Sequence, residues 1–187
     1  TEWEIRTSDN GITLDDGWHQ IVIAQDGIAV KVYVDSVLLT TFDNEDDLTK
    51  WMDDNIDNGR IAVGNRNGAG NTSYFTGDLM EFGAWNVALT QTQVDSLWNN
   101  GDGRLASTEY TGLRVYYPLN SASETVTNQA TTIVATIIDN AAFEAGKLSN
   151  ALIDPTLTIE SSVLPSETDD FTIMGWVKSD PVQRYAA

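Results

Sequence analysis

Acidic side chains are the most abundant groups in this chain that could do chemistry, with 28 Asp and Glu residues against ten Lys and Arg. Retaining glycoside hydrolysis needs two carboxyl groups facing one cleft, and a strand provides them when two acids stand two residues apart. Glu45, Asp46 and Asp47 are consecutive and stand at the start of a predicted helix, not along a strand, and Glu81, on a predicted strand, has no acid two residues away. The spacing of the acids therefore predicts no site for this reaction.

His19 is the only histidine, so a nucleophilic triad of the Ser-His-Asp kind would have to use it. It follows Trp18 at the start of a predicted strand, and we interpret it as a structural residue. The chain has no cysteine, which excludes disulfides and thiolate metal sites. We therefore expect a protein that is not an enzyme.

The net charge of −18 restricts the partners, because nucleic acid and anionic membrane surfaces would repel the chain at long range. No apolar run approaches the roughly 18 residues that a membrane-spanning helix needs. We expect neither nucleic-acid binding nor insertion into a membrane. The chain opens at Thr1 without a methionine and stops at Ala187 without a clear ending, so we expect an excised, processed or incomplete piece.

Most of the chain reads as short strands, because runs of alternating apolar and polar residues are separated by turn signals about every 8–12 residues. The predicted strands are Trp3–Thr7, Trp18–Gln25, Ile28–Val34, Val37–Phe42, Arg60–Gly64, Leu113–Leu119, Thr132–Ile138, Leu157–Val163 and Asp170–Lys178. A short helical segment is predicted within Asp43–Ile56. We interpret Trp51 in this segment as a residue that packs in the core and not as a surface for ligand binding. This pattern favours an all-β, antiparallel two-sheet jelly-roll β-sandwich with one or two short helices.

The stretch Tyr74–Gly101 combines a strand with a short helix. Met80, Phe82 and Ala84 alternate with their neighbours, which indicates a strand. Thr90 with Gln93 three residues later is a capping-box pattern for a helix start. Val94, Leu97 and Trp98 then share one helical face, and Gly101 can take the positive φ that ends a helix.

Two blocks resemble the laminin-G-like, concanavalin-A-like jelly-roll lectin superfamily, which includes pentraxins. In the first block, Gly17–Phe42 resembles that family's W-H strand and Tyr-x-Asp-Gly hairpin, with Ser36 in place of the glycine. Arg60–Gly64 resembles its R-I-G strand, and Tyr74–Gly101 its closing strand and last helix. In the second block, LRVYYPLN, EAGKLSNAL and DFTIMGWVK within Gly112–Lys178 resemble the strands that open such a domain.

The resemblance places the two halves of the domain in permuted order. Residues 1–103 look like the C-terminal half of such a sandwich, and residues 104–187 look like its N-terminal half. Either the chain is one circularly permuted domain, or it holds parts of two tandem domains. A half sandwich has unpaired strand edges and should not be stable alone. We therefore expect Phe171–Val177 to pair with strands of residues 1–103, in the same chain or in another copy.

Candidate binding residues come from two polar loops. The Gly- and Asn-rich loop before the closing strand lies where a sandwich places binding groups. Its candidates for ligand binding are Asn65, Arg66, Asn67, Asn71 and Tyr74. The polar loop after the opening strand resembles one in which the family often carries an acid. Its candidates for calcium binding by oxygen ligands are Asn120, Glu124 and Asn128.

Met80 bears on a second possible calcium position. Where the family's closing strand often reads I-D-E, this chain has Leu79, Met80 and Glu81. Met80 removes an acid and, on simple alternation, extends the apolar face with Phe82. Glu81 is expected to be partly buried beside Leu79 and Trp85, and to need a hydrogen-bond partner.

The resemblance implies a non-catalytic glycan- or surface-recognition module of an extracellular, cell-surface or virion-surface protein. Its partners would be a glycan or a protein on a cell or virion surface. The alternative is a structural repeat or decoration module in a fibre, adhesin or virion appendage, held by other copies or neighbouring domains. Calcium is the only cofactor for which the sequence offers candidate ligands.

Overall fold

The computed structural model describes residues 10–41, 60–63, 77–108, 111–119, 125–127, 134–137, 142–153, 157–160 and 170–179. Within these residues the secondary structure is twelve strands and one α-helix. The strands are β1 His19–Gln25, β2 Val30–Val34, β3 Val37–Leu38, β4 Arg60–Val63, β5 Gly77–Trp85, β6 Leu113–Tyr117, β7 Thr125–Thr127, β8 Val134–Ile137, β9 Ala142–Ala145, β10 Asn150–Ile153, β11 Leu157–Glu160 and β12 Phe171–Ser179. The helix α1 spans Gln91–Trp98.

The strands form two antiparallel sheets. The larger, eight-stranded sheet has the order β3-β2-β1-β12-β5-β10-β9, and β6 also pairs with β5. The smaller sheet has four strands in the order β4-β11-β8-β7. The predicted class, an antiparallel all-β sandwich with a short helix, is confirmed.

Strand β5 is the centre of the larger sheet, and all nine of its residues are buried. β12 pairs with one edge of β5, while β6 and β10 pair with different parts of the other edge. An antiparallel sheet can leave one face in water, but β5 is apolar on both faces and requires cover on both.

The two segments of the chain contribute interleaved strands to both sheets. Residues 1–103 supply β1 to β5, and residues 104–187 supply β6 to β12. β12 lies between β1 and β5, with seven paired positions along β1. In the smaller sheet, β4 of the first segment pairs with β11 of the second.

A β-bulge in β5 changes the faces predicted from simple alternation. Met174 pairs with Gly83 and Trp176 pairs with Met80, so Glu81 and Phe82 together stand opposite Gly175. Glu81 has a positive φ of 55°, the left-handed conformation that the first residue of a G1 bulge adopts. Met80 and Trp85 therefore share one face, and Phe82 lies on the other. The expectation that Met80 and Phe82 extend one apolar face is wrong for this reason.

The core has a separate apolar cluster on each face of the larger sheet. One cluster joins Met80, Trp85, Met174 and Trp176 to Leu97 of α1 and its neighbours. The ring of Trp98 stacks on Trp176 with centroids 5.4 Å apart. The other cluster joins residues of β2 to parts of β1 and of the segment before it. Its members are Val30, Val32, Val34 and Leu39, with Ile12, Ile21 and Ile23 packed against them.

Helix α1 begins as predicted and ends earlier than predicted. The Thr90 side chain accepts a hydrogen bond from the Gln93 backbone, and the Gln93 side chain reaches back to the Thr90 N–H, which is a capping box. The left-handed cap is Asn99, with φ 51°, two residues before the predicted Gly101. Asparagine tolerates this conformation better than most residues, so a glycine is not needed there.

Several predicted elements differ in extent. The polar stretch predicted to be a loop contains the short strand β7, and EAGKLSNAL forms the hairpin of β9 and β10. Residues 102–111, which have the composition of a linker and are called the linker below, contain a 3₁₀ turn at Ala106–Thr108. The strand predicted at Trp3–Thr7 and the helical segment within Asp43–Ile56 lie outside the described residues.

Replacing Gly103 by alanine should destabilise the protein by about 3 kcal/mol, because two penalties combine. Gly103 has φ 76°, and a Cβ there would lie 2.8 Å from a ring carbon of Trp176. Gly11→Ala is the matched control, since φ is 68° and no atom of a described residue lies within 4 Å of the added Cβ. It should cost only about 1 kcal/mol of backbone strain. Urea unfolding followed by tryptophan fluorescence measures both, and equal costs would contradict the predicted contact.

Candidate functional site

One end of the larger sheet gathers charged side chains from several chain segments. The pairing of His19 with Val177 and of Asp78 with Lys178 places these segments side by side. The turn between β2 and β3 is at the same end, since β2 runs antiparallel to β1. We call this the His19 end, and it comprises residues 15–19, 35–36, 77–78 and 177–179.

His19 lies between two carboxylates at this end. Its Nδ1 is 2.7 Å from Oδ2 of Asp35, within hydrogen-bond distance. Its Nε2 is 3.2 Å from Oδ1 of Asp15, but the alignment makes no hydrogen bond. The His19 side chain is 12% exposed, whereas that of Asp15 is 75% exposed. The imidazole ring is therefore hydrogen-bonded to Asp35, whereas Asp15 contacts its other nitrogen from the solvent side without a hydrogen bond.

The turn at Asp35–Ser36 is built around the Asp35 carboxylate. Both residues have positive φ, 52° and 68°, as a two-residue type I′ hairpin turn requires. Asp35 Oδ1 accepts a hydrogen bond from the Gln20 N–H at 2.9 Å, and the Asp35 N–H donates to the Gln20 carbonyl at 2.9 Å. The hydrogen bonds of Asp35 with Gln20 of β1 thus stabilise a left-handed backbone conformation that glycine adopts without strain.

Helix α1 supports the same turn from outside. The Ser36 hydroxyl donates to the Asp95 carboxylate. Gln91 Nε2 donates to the Ser36 carbonyl at 2.9 Å and to Asp95 Oδ1 at 2.7 Å. Hydrogen bonds from Ser36 and Gln91 hold the pKa of Asp95 below its ordinary value. Ser36 therefore fits where the resembling family has glycine, because its side chain ties the turn to the helix.

A second charged pair lies beside the first at the His19 end. Lys178 Nζ is 3.2 Å from Oδ2 of Asp78, whose side chain is only 9% exposed. The pair joins the C-terminal end of β12 to the N-terminal end of β5, where Lys178 and Asp78 are paired across the two strands. Because Asp78 is buried, removing the lysine would leave a carboxylate without its charge partner in a dry site.

Among the described residues, the contacts of the His19 end serve to hold the turn between β2 and β3. The two carboxylates approach opposite nitrogens of the imidazole. The Ser36 hydroxyl, in the same turn, is bonded to Asp95. In the part of the chain that the structure describes, no group of three His, Asp or Glu side chains could hold a metal ion.

Glu81 is a third acid with an unusual setting, fully buried inside the bulge of β5. Its carboxylate accepts hydrogen bonds from the Ala106 N–H at 3.0 Å and from the Tyr116 hydroxyl at 2.9 Å. Burial raises its pKa above the ordinary value, and the two hydrogen bonds oppose that rise. The expectation that Glu81 needs a partner is confirmed, and its partners come from the linker and β6.

All eight predicted binding residues lie outside the described residues. Asn65, Arg66, Asn67, Asn71 and Tyr74 fall in residues 64–76, and Asn120, Glu124 and Asn128 fall in 120–124 and 128–133. The ends of the first loop are described, because Val63 closes β4 and Gly77 opens β5. Gly77 pairs with Ser179, so this loop enters β5 at the His19 end.

Sequence reasoning missed the contact between His19 and Asp35. The signal was present in the Asp26–Gly27 turn between the first two strands. A two-residue turn there would bring His19 opposite Val34, next to Asp35, and the observed register, with Gln25 opposite Val30, brings it opposite Ser36. The approach of Asp15 had no such signal, because it depends on a loop that follows no regular pairing.

The two antiparallel sheets and the single helix define a β-sandwich of the kind in which binding groups stand on the loops at the sandwich ends. A laminin-G family model, described as the Concanavalin A-like lectin/glucanases superfamily, matches residues 1–95, about half of the chain. The chain belongs to this superfamily, whose members are often carbohydrate-binding or adhesive. Its laminin-G-like members are generally non-catalytic and commonly extracellular.

The other comparisons add no relative. No curated protein matches the chain, and no solved structure does. Over the described ranges, no helix has the length and apolar character that crossing a membrane requires.

Glu81→Gln should change how stability depends on pH. Because burial raises the pKa of Glu81, the folded state holds this proton more tightly than the unfolded state does. Its contribution is complete below the ordinary value of 4.5 and is lost as pH rises through the raised value. The free energy of unfolding of the native protein, minus that of Glu81→Gln, should therefore fall as pH rises from 4.5 to the raised value, and should be constant above it. Urea titrations over a pH series measure the difference.

Asp95→Asn is the matched control for that experiment. Hydrogen bonds lower the pKa of Asp95, so its contribution is present above the ordinary value of 3.8 and is lost as pH falls. Its slope with pH should have the opposite sign and be smaller, because Asp95 is exposed. A pH-independent difference for Glu81→Gln would contradict the account of the buried acid.

Proposed function

We propose that the chain is a non-catalytic glycan- or surface-recognition module of an extracellular or virion-surface protein. Membership of a superfamily that is often carbohydrate-binding or adhesive is the observation that carries this proposal. The laminin-G-like members of that superfamily are generally non-catalytic, which supports the non-catalytic part.

We place the ligand at the loop of residues 64–76, with Asn65, Arg66, Asn67 and Asn71 as polar contacts and Tyr74 as an aromatic surface. Amide and guanidinium groups supply the donors and acceptors that sugar hydroxyls need. The loop continues directly into β5, the most buried strand of the larger sheet. A loop whose exit is fixed in the sheet loses less conformational entropy on binding.

Calcium at Asn120, Glu124 and Asn128 is the cofactor part of the proposal. One carboxylate and two amide oxygens are ligands that calcium accepts, together with backbone carbonyls and water. The described residues that flank this segment are Leu119, which has a positive φ of 55°, and the short strand β7.

The second candidate function is a structural repeat or decoration module within a fibre, adhesin or virion appendage. The interleaving of the two segments favours it. β12 of residues 104–187 is held between β1 and β5 of residues 1–103, so the segments depend on each other for their strand edges. We propose that the segments complete one sandwich in permuted order, within one chain or by exchange between copies.

A glycan array tests the recognition role, and it should give hits for the native chain. Arg66→Ala and Tyr74→Ala should each weaken binding to a positive glycan by about tenfold or more, since each removes a contact of the proposed site. Thr92→Ala, on the exposed side of α1, is the control and should bind as the native chain does. Repeating the array with a calcium chelator tests the cofactor, and an array without hits would favour the structural role.

An engineered disulfide tests how the two segments are joined. The chain has no cysteine, and Ile23 pairs directly with Ile173 across β1 and β12. Neighbouring positions in an antiparallel pair are close enough for a disulfide. The double variant Ile23→Cys, Ile173→Cys should form a cross-linked monomer if one chain completes the sandwich, and a covalent dimer if copies exchange segments. Each single variant is a control, and failure to cross-link under oxidation would contradict the pairing.

A further inference from the structure

The three residues after α1 form an unusual turn. Asn99, Asn100 and Gly101 all have positive φ, at 51°, 56° and 91°. The Asn99 side chain donates to the Gly103 carbonyl at 3.4 Å. The Asn100 side chain is exposed and makes no hydrogen bond with any described residue. Asn100 is therefore a free amide directly before a glycine.

An asparagine before glycine can deamidate without an enzyme. The backbone nitrogen of the glycine attacks the side-chain carbonyl carbon of the asparagine and forms a five-membered succinimide. The proton of the backbone nitrogen passes through water to the side-chain NH2 group, which then leaves as ammonia. A second water then opens the ring and gives aspartate or isoaspartate, so the net change is water consumed and ammonia released. Glycine favours the attack because it has no Cβ to obstruct it.

Asn10 provides a comparison within the same chain, since it also precedes a glycine, Gly11. Its Oδ1 accepts hydrogen bonds from the Thr40 and Thr41 N–H groups, each at 2.8 Å. Its Nδ2 donates to the Thr41 carbonyl at 3.0 Å. All three hydrogen bonds must break before the Asn10 side chain can cyclise. The two asparagines thus differ in how free the reacting amide is.

We propose that Asn100 is a site of spontaneous deamidation, and that Asn10 is protected from the same reaction. This proposal does not depend on glycan binding or on the order of the two segments. It rests on the exposure of Asn100, its free amide, the adjacent Gly101, and the contrast with the bonded Asn10.

The position of Asn100 connects this modification to the core. The turn is closed by hydrogen bonds from Asp102 N–H to the Asn99 carbonyl and from Gly103 N–H to the Trp98 carbonyl. Isoaspartate would add one methylene to the backbone inside that closed turn. Gly103 is packed against the ring of Trp176, where even one added carbon would clash. The longer backbone therefore displaces Gly103 relative to Trp176.

Deamidation also places a new carboxylate just beyond the C-terminus of α1. The C-terminal end of a helix carries a partial negative charge, so an added anion there is unfavourable. The protein already has a net charge of −18, and each deamidated molecule gains one further negative charge. The modified molecules are therefore separable from the native ones by anion exchange.

Peptide mapping by mass spectrometry tests the proposal on the full chain kept in mildly alkaline buffer at body temperature. We expect conversion at Asn100 to exceed conversion at Asn10 by at least tenfold, with isoaspartate the larger product. The acidic fraction from anion exchange should show an altered near-ultraviolet circular dichroism signal from the Trp98–Trp176 pair. Two further Asn-Gly pairs, Asn58–Gly59 and Asn67–Gly68, lie outside the described residues and are resolved as separate peptides.

Two controls decide the interpretation. Asn100→Gln should stop the conversion at this position, because ring closure from the longer side chain is much slower. A short synthetic peptide with the sequence of residues 97–105 gives the rate without the fold. Equal conversion at Asn10 and Asn100 would overturn the proposal, as would an intact Asn100 in the protein after the peptide has converted. Both measurements use the native protein, the second together with the synthetic peptide, so a poorly folding variant does not leave the proposal untested.

Discussion

All nine residues of β5 are buried, so the backbone of this strand must find its hydrogen-bond partners inside the protein along both edges. β12 satisfies one edge, and β6 and β10 share the other. Each of these three partners comes from residues 104–187, whereas β5 comes from residues 1–103. The larger sheet consequently cannot form until both segments are present, and the rest of the molecule is arranged on that sheet.

The buried carboxylate of Glu81 shows how tightly β5 is tied to the linker. A bulge turns Glu81 out of the ladder, and its side chain then binds the Ala106 backbone and the Tyr116 hydroxyl. One acid therefore contacts the segment that joins the two halves and the first strand of the second half. A buried acid with fewer partners would cost several kcal/mol, which explains why the linker follows a defined path here.

Features that depend on local chemistry were predictable from the sequence, and features that depend on long-range register were not. The capping box of α1, the strand pattern and the sandwich class follow from residues close together in the chain. The bulge at Glu81 does not, because it appears only when Gly175 of a distant strand is placed opposite. The contact between His19 and Asp35 was within reach through the hairpin, whereas the proposed binding residues within 64–76 and 120–128 stay predictions.

The Asn10 side chain also has a consequence for association between molecules. β3 is the edge strand of the larger sheet, and its Val37 and Leu38 side chains are exposed. A bare, apolar sheet edge is a template on which another chain can add a strand. Just beyond β3, Asn10 occupies the N–H groups of Thr40 and Thr41 and the Thr41 carbonyl. One amide thus occupies backbone groups next to β3 that a strand of another chain would need in order to continue pairing along this edge.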